Sequence, residues 1–143
     1  MRSLHAKPVP ALLAAGLVAV IAGVHFQQYV DFISEVPTVG VLFLLNAAGG
    51  AGLAVALLSN EALVRRLASA GALGLAIGSL ISIAIALGGN FFGYSEPTLR
   101  LPIVIAILAE AAAIPTLISL ILHDSRAASA PLPASTVDAR PSR

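Results

Sequence analysis

The sequence predicts an all-α membrane protein, an antiparallel bundle of four transmembrane helices, and three observations carry that prediction. Hydrophobic residues make up 58% of the chain and charged residues only 10%. The apolar residues gather in four runs, and nearly all basic residues fall to one side of those runs. A helix rises about 1.5 Å per residue, so crossing a hydrocarbon core about 30 Å thick takes about 20 residues. Each run meets that length. Barrel strands would alternate polar and apolar residues, and this chain does not.

The first run covers residues 9–26. Arg2 and Lys7 precede it, and Val20-Ile21-Ala22 loosely resembles a signal-peptide cleavage site. The run is longer than the roughly 7 to 15 residues of a signal core, so an uncleaved anchor is expected. Ala15, Ala19 and Gly23 mark a small-residue stripe on it. In the following connection, Tyr29, Phe32, Ile33 and Val36 recur at helical spacing, with Asp31, Ser34 and Glu35 opposite. This predicts an amphipathic turn or two that prolongs the first helix or lies along the headgroups, ending where Pro37 disfavours helix in the residue before it.

The second run, 38–58, carries Asn46 and is thinned by Gly49, Gly50 and Gly52. The third, 67–88, presents Gly71, Gly74, Gly78 and Ser82 on one face. Gly74 and Gly78 form a GxxxG pair, a spacing that serves packing within a bundle or a homodimer face equally well. The connection from Gly88 to Pro97 mixes helix breakers with Phe91, Phe92 and Tyr94, rings suited to the membrane interface. The fourth run, 101–122, has a stripe of Ala106, Ala109, Ala113 and Thr116. Beyond it the composition turns to Ala, Ser, Pro and scattered charge, which predicts a single membrane domain over 1–123 and a disordered tail over 124–143.

Charge placement sets the expected topology. Arg2, Lys7, Arg65, Arg66, Arg126, Arg140 and Arg143 share one side, and Arg100 alone lies on the other. The positive-inside rule then puts both termini and the middle connection in the cytoplasm, and a multi-pass protein of a bacterial plasma membrane is expected. The absence of cysteine excludes disulfides and thiolate metal sites. There is no nucleophile–base constellation, phosphate-cradling loop or nucleic-acid patch, so a non-enzymatic protein without a cofactor or nucleic-acid partner is expected.

Polar groups inside the apolar runs are the candidate functional residues. Glu110 lies roughly 13 Å along its helix, where inserting an acid costs about 2.5 to 3.5 kcal/mol. Ala106 and Ala113 share its side of the helix, so the carboxyl is expected to point into the bundle. Asn46 lies at a matching depth on the second helix, within reach of a direct hydrogen bond. Two readings follow: a structural clasp between Glu110 and Asn46, or a proton- or ion-exchanging site at Glu110. His25 and Tyr29 lie one turn apart at the external end of the first helix. Together with Asp31, Glu35 and Glu96 they form a candidate external interfacial site, whose carboxylate and imidazole groups are acceptable metal ligands but whose spacing is not diagnostic of a metal site.

The segments His25-Phe26-Gln27-Gln28-Tyr29 and Pro37-Thr38-Val39-Gly40-Val41-Leu42-Phe43-Leu44-Leu45-Asn46, with Asn90-Phe91-Phe92-Gly93-Tyr94-Ser95-Glu96 and Glu110, resemble small actinobacterial four-helix integral membrane proteins. The likeness spans about residues 25–114. It implies a four-helix fold and a membrane location only, and no activity. Three functional classes remain: a structural or accessory component of a larger membrane assembly or homo-oligomer, a small oligomeric proton-coupled transporter using Glu110, and a haem- or quinone-associated redox subunit using His25. The lipid bilayer is the one partner common to all three, and the sequence names no small-molecule ligand.

Overall fold

The structure, a computed structural model, describes residues 9–128. The expectations for Arg2, Lys7, Arg140, Arg143 and most of the tail lie outside the described residues. The described residues form four α-helices: α1 Val9–Gln28, α2 Pro37–Leu57, α3 Ala62–Gly88 and α4 Leu101–Ala128. Each is long and apolar enough to cross a membrane, with mean hydropathy from 1.9 to 2.2. Many large apolar side chains, Leu12, Leu45 and Leu108 among them, face outward, as lipid contact requires. Neighbours follow one another around a ring, α1 against α2 and α4, and α3 against α4 and α2, and the α2–α3 seam is the thinnest.

The first connection prolongs α1 through a π-helical turn, Tyr29–Ile33, in which the Ser34 amide donates to the Tyr29 carbonyl at 3.0 Å. The wider i→i+5 turn rotates side chains away from 3.6-residue spacing. Ile33 is therefore buried while Phe32 is exposed, and the four apolar residues of this segment do not share one buried face. Val36 is extended, as its proline neighbour demands, and Pro37 opens α2 where a missing amide hydrogen leaves nothing unpaired.

Small residues set the spacing between helices. The buried face of α1 runs through Ala11, Ala14, Val18, Ile21 and His25, whereas Ala19 and Gly23 are exposed. A strict i+4 stripe drifts by about 40° per step around a helix with 3.6 residues per turn, so alternating steps of three and four track the core better. Opposite, Gly50 brings α2 so close to α1 that a Cβ there would lie 3.1 Å from that of Ala22. At Gly40 a Cβ would meet the Ile33 carbonyl oxygen at 2.7 Å, which ties the start of α2 to the π-helical turn. Ala109, Ala113, Leu117 and Leu120 carry the core along α4 to the opposite end.

That end is locked by an ion pair. Arg65, in the first turn of α3, donates to both carboxylate oxygens of Asp124 on α4, at 2.6 and 2.9 Å, and to the Ser59 carbonyl of the α2–α3 connection at 3.1 Å. The Asp124 side chain is only 2% exposed. Instead of ending at Leu122, α4 continues to Ala128, and the expected start of the tail at 124 is corrected accordingly. A composition that lacks periodic apolar residues still forms helix here because the ion pair anchors the next turn. Within α4, Pro115 lacks the amide that would bond to Ala111, one turn from Glu110.

Removing one partner of a buried ion pair leaves the other uncompensated, at a cost of about 3 to 5 kcal/mol. Arg65→Leu and Asp124→Asn should therefore each lower resistance to SDS-induced unfolding in mixed micelles, with Arg65→Met/Asp124→Leu losing less than either. Single variants that unfold like the parent would show that the pair does not anchor α4.

Candidate functional site

Glu110 is 1% exposed on α4, and Ala106 and Ala113 on its flank are buried with it. The carboxyl thus faces the bundle interior, and its Oε1 has no hydrogen-bond partner. It opens on a cavity of about 380 Å³ to which every helix contributes. His25 and Gln28 come from α1, Phe43 and Asn46 from α2, Ser79 from α3 and Ile107 from α4. Phe91 and Tyr94 of the α3–α4 connection also line it. Most of the lining is apolar, with a few oxygen atoms converging inside.

His25 is buried in this cavity. Its Nδ1 donates to the Ile21 carbonyl at 2.9 Å, because a carbonyl can only accept, so in the neutral ring Nε2 is the acceptor. Nε2 lies 3.1 Å from Ser79 Oγ, whose hydroxyl then donates to it. Ser79 also adjoins the Glu110 carboxyl. An imidazole, a hydroxyl and a carboxyl are thereby brought together from α1, α3 and α4, and Phe43 holds the imidazole from the side at 5.0 Å between ring centroids.

The expected hydrogen bond between Glu110 and Asn46 does not form. Asn46 Oδ1 and Glu110 Oε1 both lack partners, as does Gln28 Oε1. The two residues line one cavity without bonding to each other, which depth along each helix could not reveal. The glycine assignments divide as well. A Cβ at Gly71 would meet Leu53 at 3.0 Å, whereas Cβ atoms at Gly74 and Gly78 would meet nothing within 4 Å. Gly74 and Gly78 line the cavity, and the space they leave open borders it where no other helix of this bundle makes contact.

The candidate external site is dispersed. His25 belongs to the cavity, Asp31 is exposed and accepts from Gln27 at 3.2 Å, Glu35 is exposed and Tyr29 is partly exposed. No group of three or more His, Cys, Asp or Glu among the described residues could hold a metal. Glu96 instead anchors the second connection. Its buried carboxylate receives Arg100 at 2.7 Å and the Tyr94 hydroxyl at 2.5 Å. Arg100 lies 4.8 Å over the Phe32 ring and so joins the two connections at this end. Phe92 and Gly93, both at positive φ (50° and 84°), make the tight reversal between Phe91 and Tyr94 that aims both rings at the cavity.

Burial alone would raise the Glu96 pKa, but hydrogen bonds from Arg100 and Tyr94 and the Arg100 charge outweigh it and hold the acid below its ordinary value. Burial, followed by the hydrogen bond to Glu96, pushes the Tyr94 phenol up to about 12. Sequence reasoning located Glu110, Asn46 and His25 but missed Ser79 and Gln28. The only available signal for Ser79 was a hydroxyl within an apolar run, one residue after Gly78.

Comparison with protein-family models, with curated proteins and with solved structures finds no match to this chain.

A carboxylate whose pKa is depressed on folding contributes stability above its unfolded value, and that contribution is lost as pH falls through the folded value. The Tyr94–Glu96–Arg100 connection should therefore hold above about pH 4.5 and open on stronger acidification. For Tyr94 the sign reverses, with its contribution present below pH 10 and lost as pH rises through about 12. Amide hydrogen exchange across residues 89–100 checks both limits, and Glu96→Gln should remove the acid limit. An unchanged acid limit in that variant would refute the assignment.

Proposed function

We propose that this membrane protein is a small, non-enzymatic proton-coupled carrier in which the Glu110 carboxyl exchanges a proton for cargo inside the four-helix cavity. The observation that carries this reading is a fully buried acid that keeps one unpartnered oxygen and lines a cavity of about 380 Å³. An acid used only for packing would be paired. Typical interhelical hydrogen bonds in bilayers contribute about 0.6 kcal/mol, too little for one such bond to offset an insertion cost of about 2.5 to 3.5 kcal/mol. Here even that bond to Asn46 is missing.

The Ser79 and His25 groups beside Glu110 supply further places for a proton, which favours exchange over a static acid. In the redox reading His25 would need a free ring nitrogen, and both nitrogens are engaged by Ile21 and Ser79. The accessory-component reading loses the clasp on which it depended. By the positive-inside rule the cavity belongs to the outer half of a bacterial plasma membrane, with both termini in the cytoplasm.

A carrier acid must gain and lose its proton. In lipid nanodiscs, infrared titration should show the carbonyl band of protonated Glu110 vanishing and returning reversibly with pH, and Glu110→Gln should lack it. A Glu110 band that stays constant throughout the titration would identify a structural acid and end the carrier reading.

A further inference from the structure

The polar atoms left unsatisfied in the cavity are all oxygens. Among the described residues, the buried side-chain atoms without a partner are Glu110 Oε1, Asn46 Oδ1 and Gln28 Oε1. A ligand completing this site must therefore bring hydrogen-bond donors. It must also bring charge when Glu110 is ionised, because among the described residues Glu110 is the only acid lining the cavity and no lysine or arginine lines it. The titratable groups facing Glu110 are His25 from α1 and Tyr94 from the α3–α4 connection, while α2 and α3 offer only neutral side chains such as Asn46 and Ser79. An ionised Glu110 would then be a buried anion without a fixed counter-charge, an arrangement a cationic ligand relieves.

The rest of the lining suits an apolar body. Phe43, Phe91 and Tyr94 place aromatic rings around the space, and ring faces attract an ammonium group more strongly when it is desolvated. The cavity also has a side opening. Of its lining residues, Leu42 and Leu45 on α2 and Gly74 and Gly78 on α3 are exposed, and they flank the thinnest seam of the bundle. Because Cβ atoms at Gly74 and Gly78 would meet nothing, this seam leaves room for a chain or ring reaching in from the lipid.

We infer that the cavity takes an amphipathic organic ammonium ion, with its N–H groups at Glu110, Asn46 and Gln28 and its apolar body lying in the α2–α3 seam. This rests on the carrier reading and names its cargo. Proton and ammonium occupy the same carboxyl in turn, so each displaces the other and no covalent step is involved.

The test uses the full chain in lipid nanodiscs and two probes of nearly equal shape, 4-phenylbutylamine and 4-phenylbutan-1-ol, with empty nanodiscs as background. Saturation-transfer NMR should show the amine binding at least about tenfold more tightly than the alcohol, a difference of about 1.4 kcal/mol. Acidification should weaken the amine and leave the alcohol unchanged. Glu110→Gln should abolish the preference, and Gly78→Leu should weaken the amine by filling the seam while the Glu110 infrared band still titrates. Equal binding of the two probes to the parent protein would overturn the inference without recourse to any variant. If the Glu110 band titrates while the probes bind equally, the cargo assignment fails and the carrier reading stands. If the band does not titrate, the carrier reading fails as well.

Discussion

Lipid offers no hydrogen bonds, and every polar group in this bundle must find a partner within the chain or face a space that something else can fill. Backbone groups meet the demand by forming four helices. Side chains meet it unevenly. Asp124 is satisfied by the Arg65 fork, Glu96 by Arg100 and Tyr94, and His25 by Ile21 and Ser79. Glu110, Asn46 and Gln28 keep unpartnered oxygens, and all three line one cavity. The pattern of satisfaction thus separates the groups that hold the bundle from the groups left unpaired along the cavity.

The same contrast governs packing. Where helices must approach closely, small residues make contact, as at Gly50 against Ala22 and along the alanine face of α1. At Gly74 and Gly78 small residues do the reverse, leaving volume unfilled beside the polar cluster. The two ends of the bundle are pinned by separate ionic contacts, Arg65–Asp124 at one and Glu96–Arg100 at the other. Between these pins the α2–α3 seam is the least packed, and the cavity opens along it. A rigid frame with one loose seam is an arrangement in which a site can be reached without unpacking the core.

Apolar run length and charge placement were enough to read the four helices, their order and the inward direction of Glu110, because insertion into lipid constrains composition over some twenty residues at a time. The amphipathic extension after α1 was also legible, except that its π-helical turn moves Phe32 out of the face that helical periodicity assigns it. The end of α4 was misplaced because Asp124 finds its partner fifty-nine residues away. Local composition carries no trace of such a distant anchor.

Helix number, class and the presence of a costly acid in the membrane follow from residue type and spacing alone, since each is a property of one segment in its solvent. Which polar groups meet is different, since it depends on the rotation and separation of neighbouring helices. That geometry joined His25 to Ser79, kept Asn46 and Glu110 apart and turned a GxxxG pair from a contact into an opening. Small residues permit close approach but do not require it, and only the packed bundle decides where two helices touch and where they leave room.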